Sequence, residues 1–328
     1  MRDRIGGIGR LTKFILKGTF LVEFIGAFLL LPVFGGDYGT KGIWMSVFHS
    51  VSAFCNAGFD ILGTTGNKFP SLMQYAGNVQ VNAVIMLLII IGGIGFLTWE
   101  DICTNKYHFR VYSLQSKIVL VTTAILILLP SIFFFLWDFK NLAMKERLLA
   151  SFFQAVTPRT AGYNTIDVGR MTELAQTFII ILMLIGGSPG STAGGMKTTT
   201  IAVLILNAFA TFRSKDTVSA FRRRIDNHVI RDAATLLMLY IALFFVGGVA
   251  ISMYEGLPLS ECLYETASAV GTVGLTLGIT PHLHVASQLI LVALMYLGRV
   301  GGLTLIYAVF SSRNKGTAKF PVEQITVG

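Results

Sequence analysis

Three four-residue turns in this 328-residue sequence could do chemistry with their backbone alone. They are Asn56-Ala57-Gly58-Phe59, Thr160-Ala161-Gly162-Tyr163 and Thr272-Val273-Gly274-Leu275. Each follows a short amphipathic stretch, and the central glycines at 58, 162 and 274 stand 104 and 112 residues apart. Glycine visits positive φ at little cost, so such a turn can present consecutive carbonyl oxygens to one side. Inward-facing carbonyls are what replaces the hydration shell of a dehydrated K+. A short helix ending at the turn adds the partial negative charge of its carboxyl end, which favours the same cation. One such turn is an ordinary re-entrant loop; three in register, each between apolar blocks, point to a cation filter.

The side chains offer no rival chemistry. Cys55, Cys103 and Cys262 form no CxxC pair, and the five histidines show no ligand spacing with acids or cysteines. No Ser/His/Asp or paired-carboxylate arrangement stands out, so neither an enzyme nor a covalent cofactor is expected. The run from Gly190 to Thr198 nearly fits the phosphate-binding loop G-x-x-x-x-G-K-[ST], but Met196 separates Gly195 from Lys197 and no strand pattern precedes it. The net charge of +9 would suggest nucleic acid in a soluble protein. Here the basic residues sit in short loops between apolar blocks, and no nucleic acid is expected.

The elements that must position the turns are apolar helices. The chain is 53% hydrophobic and 13% charged, against about 25% charged in a soluble domain. Apolar blocks run over roughly 14–34, 79–98, 116–136, 174–210, 229–252 and 286–310, and a bilayer span takes about 20 residues. The basic start Met1-Arg2-Asp3-Arg4 and the block from Phe14 lack a small-residue cleavage site and read as a membrane helix. Block 174–210 is too long for one span. Its middle carries Gly186, Gly187, Ser188, Pro189, Gly190, Gly194 and Gly195, and each Gly costs a helix about 1 kcal/mol and each Pro about 3. Two half-helices joined by an irregular loop are expected, and such backbone survives in a membrane only where it is buried in protein or lines a cavity.

Of the 26 Lys and Arg residues, 17 fall in segments 1–17, 101–117, 211–231 and 311–328. The positive-inside rule puts these in the cytoplasm, with both termini inside and six crossings between them. Arg222-Arg223-Arg224 then anchors the topology beside lipid headgroups or docks a cytosolic partner. The turns belong to a repeat of span, short helix, turn and span. The second spans carry Gly92-Gly93-Ile94-Gly95, Gly186-Gly187-Ser188-Pro189-Gly190 and Gly298-Arg299-Val300-Gly301-Gly302. The expected fold is an all-α membrane protein of three helix–pore-loop–helix modules, 1–110, 111–224 and 225–328, with six crossings and three re-entrant pore helices. Arg299 sits inside an apolar helix, where a cation costs about 2.5–3.5 kcal/mol. It faces the cavity as an electrostatic barrier or snorkels to the interface. Lys197, beside the helix break, admits both readings equally. Glu265, just before the last short helix, reads as N-terminal helix charge or as negative potential at the outer mouth.

The stretches SAFCNAGFD (52–60), QAVTPRTAGYNT (154–165) and SAVGTVGLTLG (268–278), with GGSPGSTAGGMKTTT (186–200) and GRVGG (298–302), resemble the KtrB-type membrane subunits of the Ktr/Trk/HKT potassium transporters. The resemblance covers nearly the whole chain, and Thr272-Val273-Gly274 is also similar to the opening of the potassium-channel filter. It implies K+ as cargo at the three turns, with Na+ as coupling or activating ion in some members. It implies a mobile gate in the broken helix, here Gly186, Gly187, Ser188, Pro189, Gly190, Gly194, Gly195 and Lys197. It also implies a basic residue of the last module lining the path, here Arg299. A homodimer in the lipids of the plasma membrane, with a cytosolic nucleotide-binding regulatory ring, completes what the resemblance implies. The family has four modules, and the counterpart of its first is not visible. Three quadrants cannot surround an ion. Either the chain is a piece of a longer product, or a first module is supplied separately, or this is a non-conducting structural subunit.

Overall fold

The computed structural model describes residues 2–300; Gly301, Gly302, Arg313 and the rest of the last basic segment, with the end of block 286–310, lie outside the described residues. The first repeat consists of α1 (Arg2–Tyr38), the short α2 (Lys41–Phe54) and α3 (Val79–Gly93), followed by α4 (Phe96–Asn105). The second has α5 (Leu114–Phe133), continued by a π-helical turn (Phe134–Asp138), then the short α6 (Met144–Val156), α7 (Glu173–Leu184) and α8 (Thr198–Phe212). A two-stranded hairpin, β1 (Ser219–Ala220) and β2 (Arg223–Arg224), leads to the third: α9 (Asn227–Glu255), the short α10 (Leu259–Gly271) and α11 (Val285–Val300).

Local chemistry sets these boundaries. The side chains of Asn78, Ser113, Thr172 and Asp226 each accept a hydrogen bond from a backbone N–H in the first turn of α3, α5, α7 and α9. Gly95, at φ +91°, breaks the second apolar block, and α4 leaves α3 at 97°. The long fourth block splits as its glycines and proline demand, with no helix between Leu184 and Thr198. Glu265 lies in the middle of α10 rather than before it, because that helix starts at Leu259, directly after Pro258.

Among the described residues, three single helices are long and apolar enough to cross a membrane: Gly9–Tyr38, Leu114–Asp138 and Asn227–Glu255. The bent α3–α4 pair is a fourth candidate, while α7, α8 and α11 are apolar but shorter, at 12, 15 and 16 residues. Blocks 79–98 and 174–210 therefore yield no single unbroken span, because their glycine-rich segments turn the chain within them. The molecule is inverted relative to a water-soluble protein. Phe20, Phe24 and Phe28 line one outward face of α1, and Trp137, Met238 and Val246 are also exposed. Ser46, His49, Ser50, Asn82, Gln154 and Glu265 are buried. Apolar side chains outside and polar ones inside is the arrangement that lipid selects; the chain is a membrane protein.

Small residues let the helices close on the centre. A Cβ at Gly26 of α1 would lie 2.4 Å from Ser50 Oγ, and one at Gly42 of α2 only 2.1 Å from Phe34 O. Ser50 Oγ donates to Glu23 O at 2.7 Å, so α2 is tied to α1 by a hydrogen bond as well as by contact. The three short helices α2, α6 and α10 point their carboxyl ends at the three glycine turns.

Candidate functional site

The three turns share one backbone pattern. Asn56, Thr160 and Thr272 have φ of +50°, +69° and +54°, and Gly58, Gly162 and Gly274 have +71°, +84° and +93°. The residues between them, Ala57, Ala161 and Val273, are not left-handed. Two residues of alternating hand in each turn are the conformation that rolls successive peptide planes the same way. A non-glycine residue at positive φ is uncommon, and finding one at the same place in all three repeats marks a shared purpose.

The turns abut in order. A Cβ at Gly58 would lie 1.9 Å from Ala161 O, and one at Gly162 would lie 2.1 Å from Val273 O. Each glycine is therefore required twice, by its own φ and by the carbonyl of the next turn. Gly274 meets only Gly162 Cα, at 3.9 Å. At the other end of the row, Phe59 is 70% exposed beside a cavity of about 440 Å3 lined by Gly58, Asp60 and Lys68 among others.

At the first position of every turn a buried side-chain oxygen has no hydrogen-bond partner: Asn56 Oδ1, Thr160 Oγ1 and Thr272 Oγ1. An orphaned buried oxygen is costly, and these three stand at equivalent positions of the repeat. The fourth positions behave differently. Phe59 O accepts from Ser52 Oγ at 2.8 Å and from Tyr163 OH at 3.0 Å, and Tyr163 O accepts from Thr157 Oγ1 at 2.6 Å. These two carbonyls brace the scaffold. In the third turn Ser268 Oγ accepts from Gly274 N at 3.1 Å. Glu265 anchors the segment beyond: its Oε1 accepts from Thr276 Oγ1 and Leu277 N, its Oε2 from Thr280 Oγ1, at 2.6–2.9 Å. The hydroxyls at 52, 157 and 268, five or six residues before each glycine, were visible as a pattern of the repeat; their partners were not.

Segment 185–197 lies against the turns. Thr192 Oγ1 accepts from Asn56 Nδ2 at 2.8 Å and donates to Phe54 O at 2.9 Å. A Cβ at Gly194 would lie 2.0 Å from Thr272 Oγ1, and one at Gly195 2.9 Å from Gly271 O. The segment is seated on the carboxyl end of α3, where Gly93 O accepts from Ser188 N and Gly92 O from Thr192 N, while Phe96 N donates to Gly190 O. Gly186 N to Met196 O and Thr198 N to Gly187 O close its base. Both cations singled out in the sequence hold it: Lys197 Nζ donates to Ala193 O at 2.8 Å, and Arg299 Nη1 to Thr192 O at 2.9 Å. Because α7 before it is a helix, residues 190–198 have no strand–loop–helix setting for a phosphate loop.

The family described as a cation transport protein, TrkH, matches residues 5–315. The chain is 39% identical over 99% of its length to the potassium/sodium uptake protein NtpJ of Enterococcus hirae, covering 73% of that protein. It is 36% identical, again over 99% of its length and 73% of the relative, to the Ktr system potassium uptake protein B of Bacillus subtilis. In fold it is similar to the crystal structure of the potassium transporter TrkH from Vibrio parahaemolyticus, with a TM-score of 0.73 at 19% identity, over 94% of this chain and 65% of that one. These relatives are ion transporters, not enzymes. By the extent of these matches, the chain belongs to the TrkH family of cation transport proteins.

Proposed function

We propose that this chain carries K+ across the cell membrane through a filter built by the three glycine turns. The observation that carries the reading is the set of orphaned oxygens on Asn56, Thr160 and Thr272, at the head of three turns of identical backbone hand. The ion is held by these oxygens and by backbone carbonyls of residues 56–58, 160–162 and 272–275, with the carboxyl ends of α2, α6 and α10 adding negative potential. The three repeats, 1–110, 111–224 and 225–328, are the pore modules, crossing the membrane six times with both termini in the cytoplasm. Segment 186–197 is the gate below the filter, and its contacts with Asn56 and Thr272 support a closed setting. Lys197 and Arg299 hold that setting and place positive charge on the path. The driving force is the membrane potential, about 2.3 kcal/mol per charge per 100 mV.

The far side of Gly274 and the exposed flank of Phe59 support a ring completed by a further module, since three quadrants leave an ion partly hydrated. The same feature favours the second reading, a structural subunit that does not conduct by itself. The name of the Enterococcus relative supports Na+ as a companion ion. The name of the Bacillus relative supports a multi-component system, here a homodimer with a cytosolic nucleotide-binding ring. The test is Rb+ uptake into cells lacking their own potassium uptake. Gly162→Ser puts an atom 2.1 Å from Val273 O, so selection of K+ over Na+ should fall. Unchanged relative uptake in an active Gly162→Ser protein refutes the filter. No uptake by the parent chain, once inserted, favours the structural subunit.

A further inference from the structure

A second concave site lies at the opposite ends of the spans, away from the turns. The connection from α4 to α5 meets the β1–β2 hairpin there. Ser219 pairs with Arg224 and Ala220 with Arg223, leaving Phe221 and Arg222 as a two-residue turn with φ of +49° and +63°. Such turns are normally made by Asn-Gly. Here two bulky side chains take the strained positions, and Phe221 packs edge-on against Phe109, with ring centroids 6.1 Å apart. Between them is a cavity of about 440 Å3 lined by Phe109, Arg110, Lys117, Phe221 and Arg222, within the range of about 300–1,000 Å3 typical of small-molecule sites.

The lining holds three cations and no acid. Lys117 is 94% buried by its 6% exposure, yet its ammonium has no carboxylate. Nζ donates to Arg110 O at 2.7 Å and stands 6.0 Å from the centroid of the Phe109 ring. Among the described residues, none of Arg110, Lys117 and Arg222 is within ion-pair distance of an acidic group. The neighbouring Asp101 is taken by Ser113 and Ser116. A buried cation fronted by a cavity with an all-basic charged lining calls for an external anion. Two arginines that can meet oxygens as planar forks, with aromatic faces beside them, suit a phosphate carrying an organic arm.

We propose that this cavity is a phosphate-ester site, in which Arg110, Lys117 and Arg222 hold the anion and Phe109 and Phe221 flank its apolar arm. The surroundings favour the headgroup of an anionic phospholipid as the source. Tyr107 and Val111, which flank Phe109 and Arg110 in the chain, are 98% and 62% exposed, and aromatic side chains at the ends of spans are characteristic of the headgroup level. A soluble phosphate ester has the same chemistry. The site is independent of whether the three turns conduct K+.

The test uses the full chain in detergent, with native mass spectrometry in equimolar phosphatidylglycerol and phosphatidylcholine and with thermal unfolding in inorganic phosphate. The cavity variant is Arg110→Gln with Arg222→Gln. The control, Arg223→Gln with Arg224→Gln, removes the same charge from the same hairpin outside the lining. Two interfacial cations correspond to about a thirtyfold loss, so the preference for phosphatidylglycerol should collapse in the cavity variant and persist in the control. If no headgroup is preferred but inorganic phosphate stabilises the parent and the control and not the cavity variant, the site stands with a soluble ligand. If neither probe separates parent from cavity variant, the site is refuted and the face is left to a protein partner. Equal losses in both variants refute it too, in favour of a diffuse basic surface.

Discussion

Gly194→Ala tests the gate where its geometry is tightest. The added methyl would lie 2.0 Å from Thr272 Oγ1, 3.1 Å from Thr272 Cβ and 3.2 Å from Thr272 Cγ2. Rotating Thr272 about χ1 exchanges one branch for another and leaves Cβ too close, so segment 185–197 must withdraw from the third turn. Overpacking of this kind costs about 1–3 kcal/mol, which shifts an equilibrium between seated and withdrawn segments about 5–150-fold. If the seated segment closes the path, initial Rb+ uptake should rise by a factor in that range at equal membrane abundance. Gly36→Ala, whose methyl would meet nothing within 4 Å, should leave uptake unchanged. Equal uptake by Gly194→Ala and the parent refutes the gate, and uptake equally raised by Gly36→Ala assigns the effect to expression.

Two further changes read the scaffold rather than the flux. Thr192→Val removes the hydroxyl that joins Asn56 Nδ2 to Phe54 O, leaving a buried amide unpaired at a cost of about 1–3 kcal/mol. The expected result is a lower unfolding temperature in detergent together with faster uptake, since the same bond seats the segment; a lower temperature without faster uptake separates packing from gating. Glu265→Gln turns one acceptor into a donor facing Thr276, Leu277 and Thr280. It should destabilise by a similar amount and weaken ion selection at the third turn, and a variant unchanged in unfolding temperature refutes the brace.

What the sequence could reveal followed from chemistry that is local. Glycines at 58, 162 and 274 announce their turns because only the backbone there matters, and Pro189 among five nearby glycines announces a broken helix. Long-range partners were not legible. Nothing local says that Gly92 O and Gly93 O receive the segment at 188–192, or that Asn56 reaches Thr192 across 136 residues. The bend at Gly95 was hidden for the same reason: Gly-Gly-Ile-Gly serves equally for close helix packing, and the carbonyl of Pro189, 2.5 Å from where a Gly95 Cβ would be, decides for the break. Glu265 reads from the sequence as preceding the last short helix because that helix lacks a Ser, Thr, Asp or Asn cap, and only Pro258 marks its true start. Arg299 was legible as a misplaced charge, but its engagement with Thr192 O needed the fold.

The seat of segment 185–197 also imposes an order of assembly. Its receiving carbonyls at 92 and 93 are made before it, so those bonds can form as soon as the second repeat is complete. Arg299 and Thr272 leave the ribosome last among its partners, about 100 and 75 residues later, or some 4–20 seconds at ordinary rates of synthesis. During that interval the segment is held on one side only. A nascent chain stalled before residue 272 should therefore expose residues 190–195 to labelling, and completion of the third repeat should protect them.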